Sequence, residues 1–338
     1  MDLKQQAPAS ASPSLLTVSP SPHARRGMTT TSVMKDVLIA LVPTTAWGIY
    51  IYGIRAALVV LLSVVSAVLF EFLTQLILHR PVTIKDCSAA VTGLLLGLNF
   101  SPSVPLYVPV VGAAFAIIVV KQLFGGLGKN IMNPALAARV FLMLAWTNGM
   151  SGFPAAYDRG FDAVASATPL ASLKAGVLPE GIGVLELFLG QTGGCIGELS
   201  ALMILIGGIY LICRRVIRWH IPVAMLGTVA LLTFLFPLGD AATLAERATF
   251  MAASLCSGGL MLGAVFMATD YVTSPVTDIG RLIYGVGCGA LVVFIRYFGG
   301  YNEGVSFAIL IMNALVWYLD MATKPRVFGK PRKSSKTA

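Results

Sequence analysis

Few residues in this chain could do chemistry, and the densest group of them is "GFDAVASATPLASLK", residues 160–174. Thr168 precedes Pro169, whose ring disfavours helical backbone at the residue before it, so the threonine is expected to be extended with its hydroxyl presented. Its neighbours Ala163, Ala165, Ser166 and Ala167 are small, which leaves room for a bulky group or a modifying enzyme to approach the backbone. Asp162, six residues upstream, could orient a cation or a donor amide. On the residues alone this is an accessible threonine, and a solvated loop capping the next segment remains an open alternative.

Two further charges stand inside apolar runs. Arg139 sits in the middle of "NPALAARVFLML" and Glu71 in "VLFEFLTQ". A central arginine costs a few kcal/mol on insertion scales, so it is expected to face a partner or a cavity. Structural pairing between helices and a role in ion or cofactor binding both fit each charge. No Ser/His/Asp or paired-carboxylate arrangement emerges, which argues against hydrolysis. "GGLGKN" (125–130) lacks the spacing of a phosphate loop. The five cysteines have no C-x-x-C spacing and signal neither a disulfide framework nor a metal cluster.

These residues must be positioned by membrane helices. Hydrophobic residues make up 57% of the 338 and charged ones 12%, against about a quarter charged in soluble domains; mean hydropathy is +0.82. The fold class expected is an all-α polytopic membrane protein whose surface meets membrane lipid. Apolar runs near the roughly 20 residues of a spanning helix predict helices at 37–53, 56–78, 87–100, 105–121, 133–148, 197–213, 219–236, 249–267, 282–298 and 303–320. Residues 1–35, rich in Ser, Pro and Ala, read as a disordered tail without a cleaved signal. Residues 36–321 read as one transmembrane domain and 322–338 as a basic tail. Met1 and Met28 are both candidate starts.

The net charge of +9 does not call for nucleic acid, because the basic residues cluster beside apolar spans. With ten spans and both termini cytoplasmic, eighteen of the 24 Lys and Arg fall inside, five outside, and Arg139 lies within a span. That asymmetry predicts a protein of the bacterial cytoplasmic (inner) membrane with loop 149–196, which carries Thr168, outside the cytoplasm. The halves echo each other: "CSAAVTGLLLG" (87–97) with "CSGGLMLGAVF" (256–266), and "KNIMNPALAARVFL" (129–142) with "AILIMNALVWYL" (308–319). Five spans per half would make the repeats inverted, with a site near the midplane. Gly, Ser and Pro in "GLNFSPSVP" (97–105) and "ATDYVTSPVTD" (268–278) predict broken helices, whose freed backbone must be buried in protein or line a cavity.

Ordered stretches along nearly the whole chain carry a family resemblance: "VSPSPH" (18–23), "MKDVLIALVPTTAWGIYIYG" (34–53), "KDCSAAVTGLLLGLNFSPSVPLYVPVVGAAFAI" (85–117), "KQLFGGLGKNIMNPALAARVFL" (121–142), "SATPLA" (166–171), "FMATDYVTSPVT" (266–277) and "EGVSFAILIMNAL" (303–315). The sequence resembles the RnfD family, membrane components of the Rnf ion-translocating electron-transport complex, and more distantly the NqrB component of the sodium-translocating NADH:quinone reductase. The resemblance implies FMN held through a phosphoester at an extracytoplasmic threonine, installed by a flavin transferase reading a pattern like D-x-x-[ST]-G-A-T. Asp162, Ala167 and Thr168 match that pattern; Ala165 stands where Ser or Thr is usual and Ser166 where Gly is common. It further implies an electron-carrying, ion-translocating component working with the other Rnf-complex subunits, and riboflavin bound noncovalently in related proteins. Lys129, Asn130, Asn133 and Arg139, with Asp270, Thr273, Ser274 and Asn313 in the other half, are the candidates for an ion or second-flavin site. A channel or transporter, and a purely scaffolding component, are the competing readings.

Overall fold

Apolar runs punctuated by glycine, proline and capping residues give helices of two lengths. The computed structural model describes residues 29–150, 152–157, 168–176, 183–239, 243–301 and 303–325; among them the regular structure is all helical, with no β-strand. Four helices are long and apolar enough to cross a membrane: α1 (Thr30–Tyr52), α2 (Ile54–Ile77), α13 (Asp278–Phe298) and α14 (Val305–Ala322). A bent pair, α11 (Leu244–Cys256) and α12 (Leu260–Met267), makes a fifth span when its 63° break is counted within one crossing. Five shorter apolar helices complete the set: α3 (Ser88–Leu98), α4 (Tyr107–Gln122), α5 (Pro134–Ala145), α9 (Ala201–Cys213) and α10 (His220–Leu235). Three small helices, α6 (Thr147–Met150), α7 (Pro169–Lys174) and α8 (Val184–Leu189), lie between α5 and α9.

Every predicted stretch therefore carries helix, but half of them are too short to cross alone. At 1.5 Å per residue, α3 is about 16 Å long, half the hydrocarbon thickness of a bilayer. One boundary is corrected. The predicted tail 1–35 ends too late, because the Thr29 hydroxyl accepts the Ser32 N–H at 3.2 Å and starts α1 at Thr30. Threonine and serine there supply a helix cap rather than tail character. Residues 1–28 lie outside the described residues.

The predicted breaks at 97–105 and 268–278, and a third between α11 and α12 that sequence reasoning did not place, have backbone groups taken up by protein. Within 268–278 the Val276 N–H donates to Asp320 Oδ1 at 2.9 Å. Beyond α3, the carbonyls of Leu98 and Phe100 accept the N–H groups of Gly197 (2.8 Å) and Ile196 (2.9 Å). At the bend between α11 and α12, Gly258 adopts φ +73°. Buried Arg296 of α13 donates to the freed carbonyls of Ser254 (2.7 Å) and Ser257 (3.1 Å). Irregular backbone survives at membrane depth only with such partners.

Small residues let the helices approach closely, as expected where lipid gives no hydrophobic drive for association. A Cβ on Gly93 of α3 would stand 2.8 Å from the Ser63 carbonyl oxygen of α2. On α13, Cβ atoms at Gly285 and Gly289 would meet the Ile221 and Met225 carbonyl oxygens of α10 at 2.9 and 2.7 Å. One continuous core runs through both halves, from Leu41 and Tyr52 to Tyr284 and Ile309. Ile77, Phe298 and Trp317 are among the large apolar side chains left on the outside, where lipid would cover them.

Candidate functional site

Thr168 is the N-cap of α7, extended at φ −74° and ψ 150°, with Pro169 in the first helical position. Its hydroxyl accepts the Ala171 N–H at 3.4 Å, so the predicted extended, presented threonine and the capping alternative coincide in one residue. It opens into a cavity with Phe153, Thr192, Glu198, Ser257 and Glu303 in its walls. Glu198 accepts the Cys195 N–H through Oε1 at 2.7 Å. Among the described residues, its buried Oε2 and the buried Ser257 Oγ have no hydrogen-bond partner. A hydroxyl at the rim and two unsatisfied groups inside suit a ligand carrying hydrogen-bond donors. Asp162, Ser166 and Ala167 lie outside the described residues.

The floor of this cavity is tied to Arg139. Asn133 caps α5 through Oδ1 to the Ala135 N–H (3.0 Å), and Pro134 follows at the first helical position. The helix then carries Arg139, 3% exposed, to a paired contact with Glu303: Nη1 to Oε1 at 3.0 Å, and Nη2 to Oε2. Nη1 also donates to Asn99 Oδ1, and Nη2 lies 3.5 Å from Cys195 Sγ. Burial raises the Glu303 carboxyl above its ordinary range while the Arg139 guanidinium pulls it back. Burial, with Glu198 beside it, holds the Cys195 thiol well above its usual value and therefore neutral. Both groups sit in connecting segments outside the spanning helices. Arg139 and Glu303 also line a neighbouring opening with Met143, Thr147 and Tyr301.

A separate cavity has Asn130, Asn133, Asp270, Lys121 and Ser88 in its wall. Lys121, 1% exposed, reaches Glu71 at 2.8 Å and Ser88 Oγ at 2.6 Å, and Gln122 donates to Glu71 at 2.9 Å. With Gln75 Nε2 donating as well, at 3.4 Å, the acid predicted to need a partner has three. Asp270 accepts from Thr273 at 3.1 Å, and buried Asn130 Oδ1 has no partner among the described residues. The Asn313 amide, oriented to satisfy both its ends, accepts the Asn133 N–H at 3.2 Å and donates to the Thr273 carbonyl at 3.0 Å.

The structure divides the eight residues grouped from sequence. Asn130, Asn133 and Asp270 share one cavity, with Thr273 and Asn313 bonded to its wall. Arg139 belongs instead to the Thr168 side, because six residues of helix carry it about 9 Å beyond Asn133. Lys129 is exposed, its side chain near the Gly125 turn, and Ser274 lines an adjoining groove. Between the cavities runs a polar thread: Asn133 Nδ2 to the Met267 carbonyl (3.2 Å), Asn99 Nδ2 to Met267 Sδ (3.7 Å), then Asn99 to Arg139 and Glu303. Sequence reasoning missed Asn99, Glu198 and Glu303 as site residues. The available signal was the need of Arg139 for a carboxylate partner in a chain with only 15 acidic residues.

A model of the NQR2, RnfD, RnfE family matches residues 17–329. The chain is 46% identical over 325 residues to the D subunit of the Na(+)-translocating ferredoxin:NAD(+) oxidoreductase complex of Acetobacterium woodii, covering 95% of this chain and 98% of the relative. It is 40% identical over 326 residues to the D subunit of the proton-translocating ferredoxin:NAD(+) oxidoreductase complex of Clostridium ljungdahlii, covering 94% and 97%. With the D subunit of the ion-translocating oxidoreductase complex of Escherichia fergusonii it shares 35% identity over 348 residues, covering 92% and 98%. With the family matched from before the first helix to beyond the last, the chain belongs to the NQR2, RnfD, RnfE family.

Proposed function

We propose that this chain is the RnfD-type membrane component of an Rnf complex coupling electron transfer between ferredoxin and NAD(H) to sodium ion or proton translocation, with FMN esterified to Thr168. The observation that carries the flavin assignment is the Thr168 hydroxyl at the rim of a cavity containing two unpartnered groups, Glu198 Oε2 and Ser257 Oγ. FMN supplies electron-carrying chemistry when bound. The protein's part is to hold it. Thr168 Oγ bears the phosphoryl ester, Pro169 keeps that residue extended, and Glu198 and Ser257 accept hydrogen bonds from the ligand's donors. The Arg139–Glu303 pair fixes the cavity floor. Donor and acceptor nucleotides would bind to other subunits of the complex, and a flavin transferase would load Thr168 despite Ala165 and Ser166.

The topology belongs to the same reading: ten crossings in two inverted halves, both termini cytoplasmic and the Thr168 cavity outside. Two observations support it. The half-length α3 starts on the serine of Cys87-Ser88 and α12 follows Cys256-Ser257, and their far ends meet where Asn99 contacts Met267. The cavity of Asn130, Asn133 and Asp270 is then an ion or riboflavin site facing the other side. One observation favours a channel-like protein without a redox role, namely the polar thread between the two cavities. Peptide mass spectrometry of the protein coexpressed with its flavin transferase separates the readings. The electron-carrying reading requires the Thr168 peptide to carry the mass of FMN, and the channel reading requires it unmodified.

A further inference from the structure

A groove adjoins the Asn130–Asn133–Asp270 cavity, sharing Val216, Ile217, Thr269 and Tyr271 with it, and carries an arginine cluster that neither cavity uses. Arg215 and Arg218, from the turn between α9 and α10, and Arg281, from the first turn of α13, line it together with Ser274 and Tyr271 of the broken segment. The groove is built rather than accidental. Arg281 Nε is fixed on the Pro275 carbonyl at 3.0 Å, and the Tyr271 hydroxyl donates to the Val216 carbonyl, locking the turn to the break. Arg215 takes φ +57°, a conformation that non-glycine residues adopt only where the surroundings hold them. Its backbone N–H caps α9 on the Ile212 carbonyl at 2.9 Å.

The charges do not cancel. Asp278 receives both Arg218 and Arg281, the latter at 2.9 Å, while Arg215 has no ion pair among the described residues. Three guanidinium groups against one carboxylate leave two positive charges facing the groove. Beside it, Trp219 and Val223 of α10 and Val276, Ile279 and Ile283 around the start of α13 are exposed. A ligand that satisfies both surfaces is anionic at one end and long and apolar at the other. A zwitterionic headgroup would bring its own cation against arginines whose one ion-pairing carboxylate among the described residues, Asp278, is already shared.

We propose that Arg215, Arg218 and Arg281 bind the phosphate of an anionic phospholipid whose acyl chains lie along the exposed apolar residues of α10 and α13. The shared chemistry is a phosphate on arginine forks. A lipid is favoured over a free phosphate because exposed apolar residues flank the arginines along the chain, Trp219 next to Arg218 and Ile279 two residues before Arg281.

The test is native mass spectrometry of the full-length protein in its detergent-purified complex, titrated with phosphatidylglycerol, with phosphatidylcholine, and with inorganic phosphate as competitor. Each arginine at a lipid surface is worth roughly fivefold in affinity, so Arg215→Gln with Arg218→Gln weakens phosphatidylglycerol binding about 30-fold. Arg215→Gln alone, which breaks no ion pair, costs about fivefold and keeps the test available if the double variant fails to fold. Lys85→Gln, an exposed charge on another loop, leaves binding within about twofold. Equal affinity for the two lipids, or unchanged phosphatidylglycerol binding in the Arg215 variant, overturns the site. Displacement by millimolar inorganic phosphate as complete as that by phosphatidylglycerol overturns the lipid as its ligand.

Discussion

Replacing Arg139 by methionine removes the charge while keeping much of the volume, and the structure sets the size of the effect. Glu303, whose side chain is 15% exposed, would lose its one ion-pair partner among the described residues and stay buried near Glu198. Breaking a buried pair from one side costs about 3–5 kcal/mol, mostly from the charge left behind. Glu303→Gln leaves Arg139 with only the neutral partners Asn99 and Cys195 among the described residues and costs a comparable amount. The double variant Arg139→Met/Glu303→Gln strands neither charge, so its loss should fall short of the sum of the singles by at least about 2 kcal/mol. Reversible unfolding of the purified protein in mixed micelles with increasing SDS, run on all four members of the cycle, gives that coupling. If the singles add without coupling, or Arg139→Met is neutral, the pair does not hold the floor of the Thr168 cavity.

Other expectations follow from the packing and the second cavity. Gly93→Leu and Gly285→Leu drive a side chain into a neighbouring helix backbone and should each destabilise by about 1–3 kcal/mol or more, read as a lower thermal midpoint; Gly227→Leu, whose Cβ meets open space, should not. Lys121→Met leaves Glu71 uncompensated in a fully buried site and should cost more than Lys121→Met combined with Glu71→Gln, measured as yield of folded protein by size exclusion. If the Asn130–Asn133–Asp270 cavity holds a noncovalent flavin, Asn133→Leu lowers the flavin released by acid precipitation and leaves the covalently retained fraction unchanged. Equal release from wild type and variant would move that cavity to the ion reading or leave it empty of either role.

Much of the helix placement was legible because lipid forces long apolar runs, and the run lengths survive any rearrangement of neighbours. Helix length was not. Whether α3 stops at Leu98 depends on Ile196 and Gly197 arriving to take its carbonyls, and that contact spans about a hundred residues of chain. The Thr-Pro pair announced an extended residue before a helix, which Thr168 is. Arg139 announced a partner without naming it, since Glu303 lies 164 residues away and in sequence is simply the first residue of the predicted span 303–320. The eight grouped polar residues were chosen by polarity and by their corresponding places in the two halves. Neither reveals that about a turn and a half of α5 separates two cavities.

Whether Thr168 holds a redox group can be read from in-gel flavin fluorescence of the denatured protein coexpressed with its flavin transferase, wild type against Thr168→Val. A fluorescent band in the wild type that disappears in the variant is the predicted result. A dark wild-type band, with the transferase active on another substrate, or equal fluorescence in both proteins, contradicts it.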